Sequence, residues 1–219
     1  MIPTAKEKAF FADLASNLGD VHHAERGETI YHPGTPSNSV FIVETGRVKL
    51  AYLDESGKKL TLSILDAGEI FGEMCLMGEK HRRHLATAIE ETKLRCIPKK
   101  VFAEAMFKDL ESMHLLVEHF AGRMHEYEEA LEDLAFRDIQ ARLSRQLLKL
   151  SDEYGVETKE GILIGFPVTH KELADMIGSA RENTTLALNR FEREGILDKS
   201  RYKIVIKNEA GLRKKITAL

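Results

Sequence analysis

The feature that most constrains this chain is a row of apolar residues whose spacing alternates between four and three: Met106, Leu110, Met113, Val117, Phe120, Met124, Tyr127, Leu131 and Leu134. A mean period of 3.5 is the a/d seam of a coiled coil. Glu118, His119, Arg123, Glu126, Glu128, Glu129 and Glu132 fill the positions between, so the remaining surface is polar. No proline interrupts the stretch from Val101 to Phe166. A helix lying on its own core shows a wider apolar stripe than a/d positions alone supply. The spacing therefore predicts a long helix that pairs with a second copy of itself through Met113, Val117, Phe120, Met124, Tyr127 and Leu131, giving a homodimer.

The 219 residues leave room for a domain on either side of such a helix. No apolar run is long enough to span a bilayer, and the beginning MIPTAKEKAFFADL carries no basic segment followed by an apolar one. A cytoplasmic protein without a membrane partner is expected. Cys75 and Cys96 are too few for a disulfide framework and read as core residues of strands. Residues 1–137 hold 17 Lys and Arg against 23 Asp and Glu, whereas residues 138–219 hold 15 against 12. The basic excess in the second part points to nucleic acid there.

Residues 4–18 predict a short helix with Phe10, Phe11, Leu14 and Leu18 on one face. From Val21 to Ile97 the pattern changes to short strands separated by turns at Gly27, Gly34, Gly46, Gly57 and Gly68, which suits a barrel or jelly roll. Val40–Val43 and the period-two residues Val48, Leu50 and Tyr52 flank Glu44-Thr45-Gly46-Arg47, and are expected to pair as a hairpin. Pro98 ends the last strand, and a short helix from Val101 leads into the long one. Past Leu134, Arg137-Asp138 breaks the seam, and Asp138 is suited to cap a new helix carrying Ile139, Leu143, Leu147, Leu148 and Leu150. The expected division is a β-barrel domain over 1–107, a dimerisation helix over 108–137 and a winged helix-turn-helix over 138–219, an α+β architecture.

The segment THKELADMIGSARENTTLALNRFEREGIL, from Thr169 to Leu197, holds two short helices joined by a glycine turn. Thr169 with Glu172 forms a capping box, Gly178 ends the first helix, Ser179 with Glu182 is expected to cap the second, and Gly195 ends it. The N-terminal residues of the second helix would enter a major groove. Arg181 suits the O6 and N7 acceptors of guanine, and Glu182 can accept from cytosine N4. Asn183 and Thr185 share that helix, while Thr169, Lys171 and Ser179 border it. The strand RYKIVIK that follows, with Arg201, Lys203 and Lys207, suits a wing near phosphates.

Three stretches carry a resemblance: AGEIFGEM (Ala67–Met74), LEDLAFRDIQARL (Leu131–Leu143) and ELADMIGSARENTTLALNRFEREGIL (Glu172–Leu197). Together with the order of elements they resemble the Crp/Fnr superfamily of bacterial transcription regulators over essentially the whole chain. The resemblance implies that residues 1–107 are an effector-sensing jelly roll of the cyclic-nucleotide-binding kind with a small-molecule effector, that a dimer acts on a palindromic operator in double-stranded DNA, and that RNA polymerase is among the partners. It also implies an Arg-Glu pair reading guanine and cytosine, here Arg181 and Glu182. Relatives that read a TGTGA-like half-site carry a further basic residue where this chain has Thr185 and Leu186, and a serine where it has Ala180.

The resemblance implies an effector cassette at Gly72, Glu73 and Arg82, with Arg83 and Arg123 also open to an anion. Arg83 and His84 replace the small residues that the cassette's pattern places after its arginine, and Tyr127-Glu128 stands where adenine-binding members present Thr-Ser. Cyclic AMP is therefore not the expected ligand. The N-terminal cysteine group of iron–sulfur members is absent, so no such cluster is expected. Haem stays open, with nine histidines and Cys75 as axial candidates. No metal site, G-x-S-x-G, HExxH or P-loop pattern is present, and the chain is not expected to be an enzyme. The alternative from another class is a ligand-binding module that acts on a protein partner.

Overall fold

The structure is a computed structural model that describes residues 4–200 and 202–217. Arg201, expected in the wing, lies outside the described residues. Two compact units divide the chain, residues 1–128 and 129–219.

The first unit opens with α1 (Ala5–Asn17). Thr4 caps it through a complete capping box with Glu7, and Phe11 and Ala15 are buried beneath it. Eight strands follow: β1 (Asp20–Ala24), β2 (Thr29–Tyr31), β3 (Ser39–Thr45), β4 (Val48–Leu53), β5 (Lys59–Leu65), β6 (Ile70–Phe71), β7 (Leu85–Ala88) and β8 (Thr92–Pro98). They form two antiparallel sheets, in the orders β1-β8-β3-β6 and β2-β7-β4-β5. That alternation between sheets is a jelly roll.

This arrangement corrects the hairpin expected around Gly46. β3 and β4 do not pair: Val43 faces Leu94 of β8, whereas Val48 faces Leu65 of β5 and Ala88 of β7. The connecting turn carries the chain from one sheet to the other. Gly46 permits it, with φ of +79° and the carbonyl of Glu91 occupying the space a side chain would need. Arg47 then anchors the corner, its N–H on Thr92 Oγ1 at 3.2 Å and its guanidinium 2.8 Å from Asp66.

Two clusters fill the first unit. One holds Phe41, Val43, Val48, Leu50, Leu65, Phe71, Ala86 and Leu94 between the sheets. The other joins the barrel to its helices through Phe11, Val40, Ile42, Ile70, Ile97, Phe102, Met106 and Leu116. Met106, the first residue of the expected seam, belongs to a separate helix, α2 (Lys99–Met106), and is fully buried. The long helix α3 runs Leu110–Phe136. Asp109 starts it afresh by accepting from the Ser112 N–H at 2.8 Å, which is why the seam does not continue back into α2.

In the second unit Asp138 caps α4 (Ile139–Tyr154) by accepting from Ala141 N, as its sequence predicts. A hairpin, β9 (Gly155–Thr158) with β10 (Gly161–Ile164), precedes α5 (His170–Met176) and α6 (Arg181–Arg193). A second hairpin, β11 (Leu197–Ser200) with β12 (Lys203–Ile206), joins the first to make a sheet of order β11-β12-β10-β9. Then α7 (Glu209–Thr217), a helix not anticipated from the sequence, closes over α4, with Leu212 fully buried.

Phe71 is the tightest test of the barrel core. It is fully buried and stacks 5.0 Å from Phe41, with Tyr31 at 5.9 Å. Phe71→Ala should lower unfolding free energy by about 3–5 kcal/mol in urea denaturation; a change below about 1 kcal/mol would mean the sheets do not close around this ring.

Candidate nucleic-acid interface and effector site

The helix pair of the second unit is set by two local devices. At α5, Thr169 accepts from the Glu172 N–H while the Glu172 carboxylate returns to the Thr169 N–H at 2.8 Å, completing the expected box. At its other end Gly178 takes a left-handed φ of +60°, and Ser179 N–H donates to Ala174 O at 2.9 Å. That six-to-one bond across a left-handed glycine is a Schellman stop. Ser179 does not cap α6 as expected, because the helix begins one residue later than that reading requires. Ala180 is the cap residue, with no side-chain hydrogen bond, and Arg181 is the first helical residue.

Helix α6 is then fixed in rotation. Thr184, Ala187, Leu188 and Phe191 are buried on one side, while Arg181, Glu182 and Asn183 of the first turn are exposed. Thr185 lies half-buried between them, its Oγ1 3.0 Å from His170 Nδ1. This cross-link ties the first turn of α5 to the first half of α6, and no local signature in the sequence marks His170 for it. Burial, followed by the charges of Lys199 and Arg181, holds the His170 imidazole below its usual pKa.

Around these residues lies a cleft of about 540 Å³ lined by His170, Lys171, Arg181, Lys199 and Tyr202 among others. Two of the cations are already paired within the fold: Lys171 Nζ with Asp175 at 2.6 Å, and Lys199 Nζ with Glu192 at 2.5 Å. Lys207 pairs with Asp198 across the second hairpin. Lys203 is exposed at the start of β12. Between β11 and β12, Tyr202 carries a positive φ of 66° in the tight connection. The structure thus brings Lys171 and Arg181 to one cleft, with Glu182 and Asn183 exposed beyond Arg181 on α6, and gives Thr169, Ser179 and Thr185 internal bonds.

In the first unit the three arginines expected to face an effector do different things. Arg82 is buried: Nη1 donates to Gly72 O at 2.7 Å and Nη2 to Ser39 O at 2.5 Å. Its guanidinium also lies 4.6 Å from the Tyr31 ring and 5.5 Å from that of Phe41. Gly72 is the counterpart of this arrangement, with φ of +79° and no room for a Cβ, which would stand 2.5 Å from Arg82 Nη1. Arg83 is 67% exposed and lies 3.8 Å from Glu79. Arg123 reaches from α3 to Ser63 Oγ on β5 at 2.5 Å and stands 3.8 Å from Glu126.

Glu73, next to Gly72, faces the buried His119 of α3, with Oε1 3.8 Å from Nε2, too long for a hydrogen bond. Burial pushes its carboxyl pKa up, but His119 and Arg123 together bring it below the usual value. His119 Nε2 and Thr61 Oγ1 are buried without a hydrogen-bond partner. Of the residues open to a haem, His119 packs 6.1 Å from the Phe11 ring, and the buried Cys75 thiol donates to Ser39 O at 3.8 Å. Among the described residues no three His, Cys, Asp or Glu side chains converge as a metal site. No described helix is long and apolar enough to cross a membrane.

A jelly roll with this cassette, a long helix and a helix-turn-helix followed by a strand hairpin define an effector-type barrel joined to a nucleic-acid-binding head. Comparison with known proteins agrees. The cyclic nucleotide-binding domain family matches residues 21–109, and the Crp-like helix-turn-helix domain family matches residues 141–215. The global nitrogen regulator of Nostoc sp. is 30% identical over 195 residues, covering 88% of this chain and 87% of its own. The CRP-like cAMP-activated global transcriptional regulator of Mycobacterium tuberculosis is 26% identical, with 86% and 84% covered. Among solved structures, a CRP/FNR family transcriptional regulator from Thermus thermophilus superimposes with a TM-score of 0.77 at 28% identity, over 91% of this chain and 99% of that one. The chain belongs to the Crp/Fnr superfamily and is a transcription regulator with a helix-turn-helix for DNA.

The two neighbouring arginines separate the roles. Arg82→Ala should cost on the order of 2–3 kcal/mol in chemical denaturation, because it strands the buried Gly72 and Ser39 carbonyls. Arg83→Ala, at the surface, should stay within about 0.5 kcal/mol of wild type. Equal values for the two would contradict the buried role of Arg82.

Proposed function

We propose that this chain is an effector-responsive, sequence-specific transcription regulator, cytoplasmic and without catalytic activity, that acts as a homodimer on a palindromic operator. The observation that carries the DNA half is the exposure of Arg181, Glu182 and Asn183 on the first turn of a helix that Thr184, Ala187, Leu188 and Phe191 fix to the core. Arg181 and Glu182 read a guanine and a cytosine, with Asn183 beside them, and Lys171 and Lys203 approach phosphates. Thr169, Ser179 and Thr185 contribute by holding the head in shape.

Dimerisation through α3 is supported by its second apolar face. Ser112, Leu115, Leu116 and His119 are buried, yet Leu110, Met113, Val117, Met124, Tyr127, Leu131 and Leu134 are each at least 36% exposed. Phe120 sits at the edge, half-buried against the barrel cluster. A second copy covers this stripe and sets two reading helices at the two half-sites.

On the sensing side, we infer a ligand held by Arg123 and Glu73 rather than a cyclic phosphate seated on Arg82, since Arg82 is buried with Nη1 and Nη2 each donating to a main-chain carbonyl, of Gly72 and Ser39. Gly72 and Arg82 then serve as the frame of the site, and Arg83 lies at its rim. RNA polymerase is the partner a family member of this kind would contact once bound.

Two measurements test this reading. Met124→Asp, at a position 63% exposed in the single chain, should leave the fold intact yet sediment as a monomer and lose operator binding; a stable dimer would sink the seam. Binding-site selection should show Arg181→Ala losing its guanine preference at a cost of about 1–3 kcal/mol per half-site. Lys203→Ala should instead weaken all duplexes alike and flatten the salt dependence. Salt-insensitive behaviour without duplex selectivity would favour a protein-docking module.

A further inference from the structure

Leu186 stands out on α6. It is 66% exposed, and among the described residues it is the sole apolar side chain on the exposed face of that helix. A single exposed leucine is ordinarily unremarked surface; its position separates this one. It lies one helical turn beyond Glu182 and Asn183 and one turn before Asn189 and Arg190, all exposed, so it continues the row that begins at the reading end. The helix cannot turn to bury it, because Thr184, Ala187, Leu188 and Phe191 occupy the core side. Its neighbour Thr185 is held by His170 and leaves the row at that level to Leu186.

An apolar side chain presented to a major groove has one apolar feature on the base edges to meet, the C5-methyl group of thymine. The polar neighbours Glu182 and Asn189 can find acceptors and donors; leucine cannot, and opposite a bare polar edge it would desolvate that edge without replacing its bonds to water. We propose that Leu186 is a specificity-determining residue that selects thymine, by contact with its methyl group, beside the pairs read by Arg181 and Glu182. The inference rests on α6 being the reading helix. It adds to each half-site a position discriminated by shape and burial, where the hydrogen-bonding residues contribute nothing.

The test uses the full-length chain and its selected operator, with each thymine replaced singly by deoxyuridine, which removes only the methyl group. For wild type, one thymine per half-site should lose about fourfold in affinity on replacement, the size of burying one methyl. Leu186→Ala should bind the thymine and deoxyuridine duplexes equally at that position while keeping the guanine preference that depends on Arg181. Leu186 is exposed, so this variant keeps the fold. Wild type indifferent to deoxyuridine at every thymine, an operator with no thymine beside the guanine, or a Leu186→Ala variant that still discriminates would each overturn the proposal. Arg181→Ala run in parallel distinguishes the two levels: if it shifts the selected sequence while Leu186→Ala does not, only the methyl contact fails. If neither shifts it, the assignment of α6 as reader fails with it.

Discussion

Helix α3 serves two surfaces at once, and the rest of the structure depends on that. Its 27 residues span about 40 Å. One side seals the barrel, where Leu115 and Leu116 are nearly inaccessible and His119 faces Glu73. The other presents Leu110, Met113, Val117, Met124, Leu131 and Leu134 to solvent. A contiguous apolar row of that length on a lone chain is unfavourable at roughly 25 cal/mol for each Å² left uncovered, so a covering partner is favoured. In the proposed dimer the helix that touches the sensing site through His119 and Arg123 is also the helix that pairs the two copies. A ligand that alters the Arg123–Ser63 or Glu73–His119 contacts therefore acts on the dimer element itself.

The arginine that the sequence pattern assigns to a ligand is held by the barrel itself. Arg82 is enclosed by Tyr31 and Phe41 and bonded to two main-chain carbonyls, so its charge supports the fold. The buried guanidinium is supported by these two bonds and by the aromatic rings its faces meet. The proposed ligand would meet a mixed set, Arg123 and acidic Glu73 and Glu126 with Tyr127 nearby. That composition differs from a cationic phosphate seat.

Much of this is legible in the residues. The capping box at Thr169, the stops at Gly178 and Gly195, the cap at Asp138 and the alternating strands of the barrel are all local signals, and local chemistry decides them. The pairing of β3 is not, because period-two alternation says that a strand has two faces and not which strand lies beside it. The exposed apolar row of α3 is legible from its spacing, but the core-facing stripe at residues 112, 115, 116 and 119, offset from that row, is not, because Ser112 and His119 carry no apolar signal. Ser179 reads as a cap because a serine three places before an acidic residue fits one, whereas α6 begins at Arg181 and leaves Ala180 in the cap position. The links of Arg82 to Gly72 and Ser39, and of His170 to Thr185, join residues 10 to 43 positions apart and leave no local trace.

The central claim is that two copies joined along α3 place two α6 helices in successive major grooves. Hydroxyl-radical footprinting of the full-length chain on its selected operator tests it most directly. Two protected patches related by a two-fold axis, with centres about 34–36 Å apart along one face of the duplex, are expected. A single patch spanning one half-site at saturation would contradict the account.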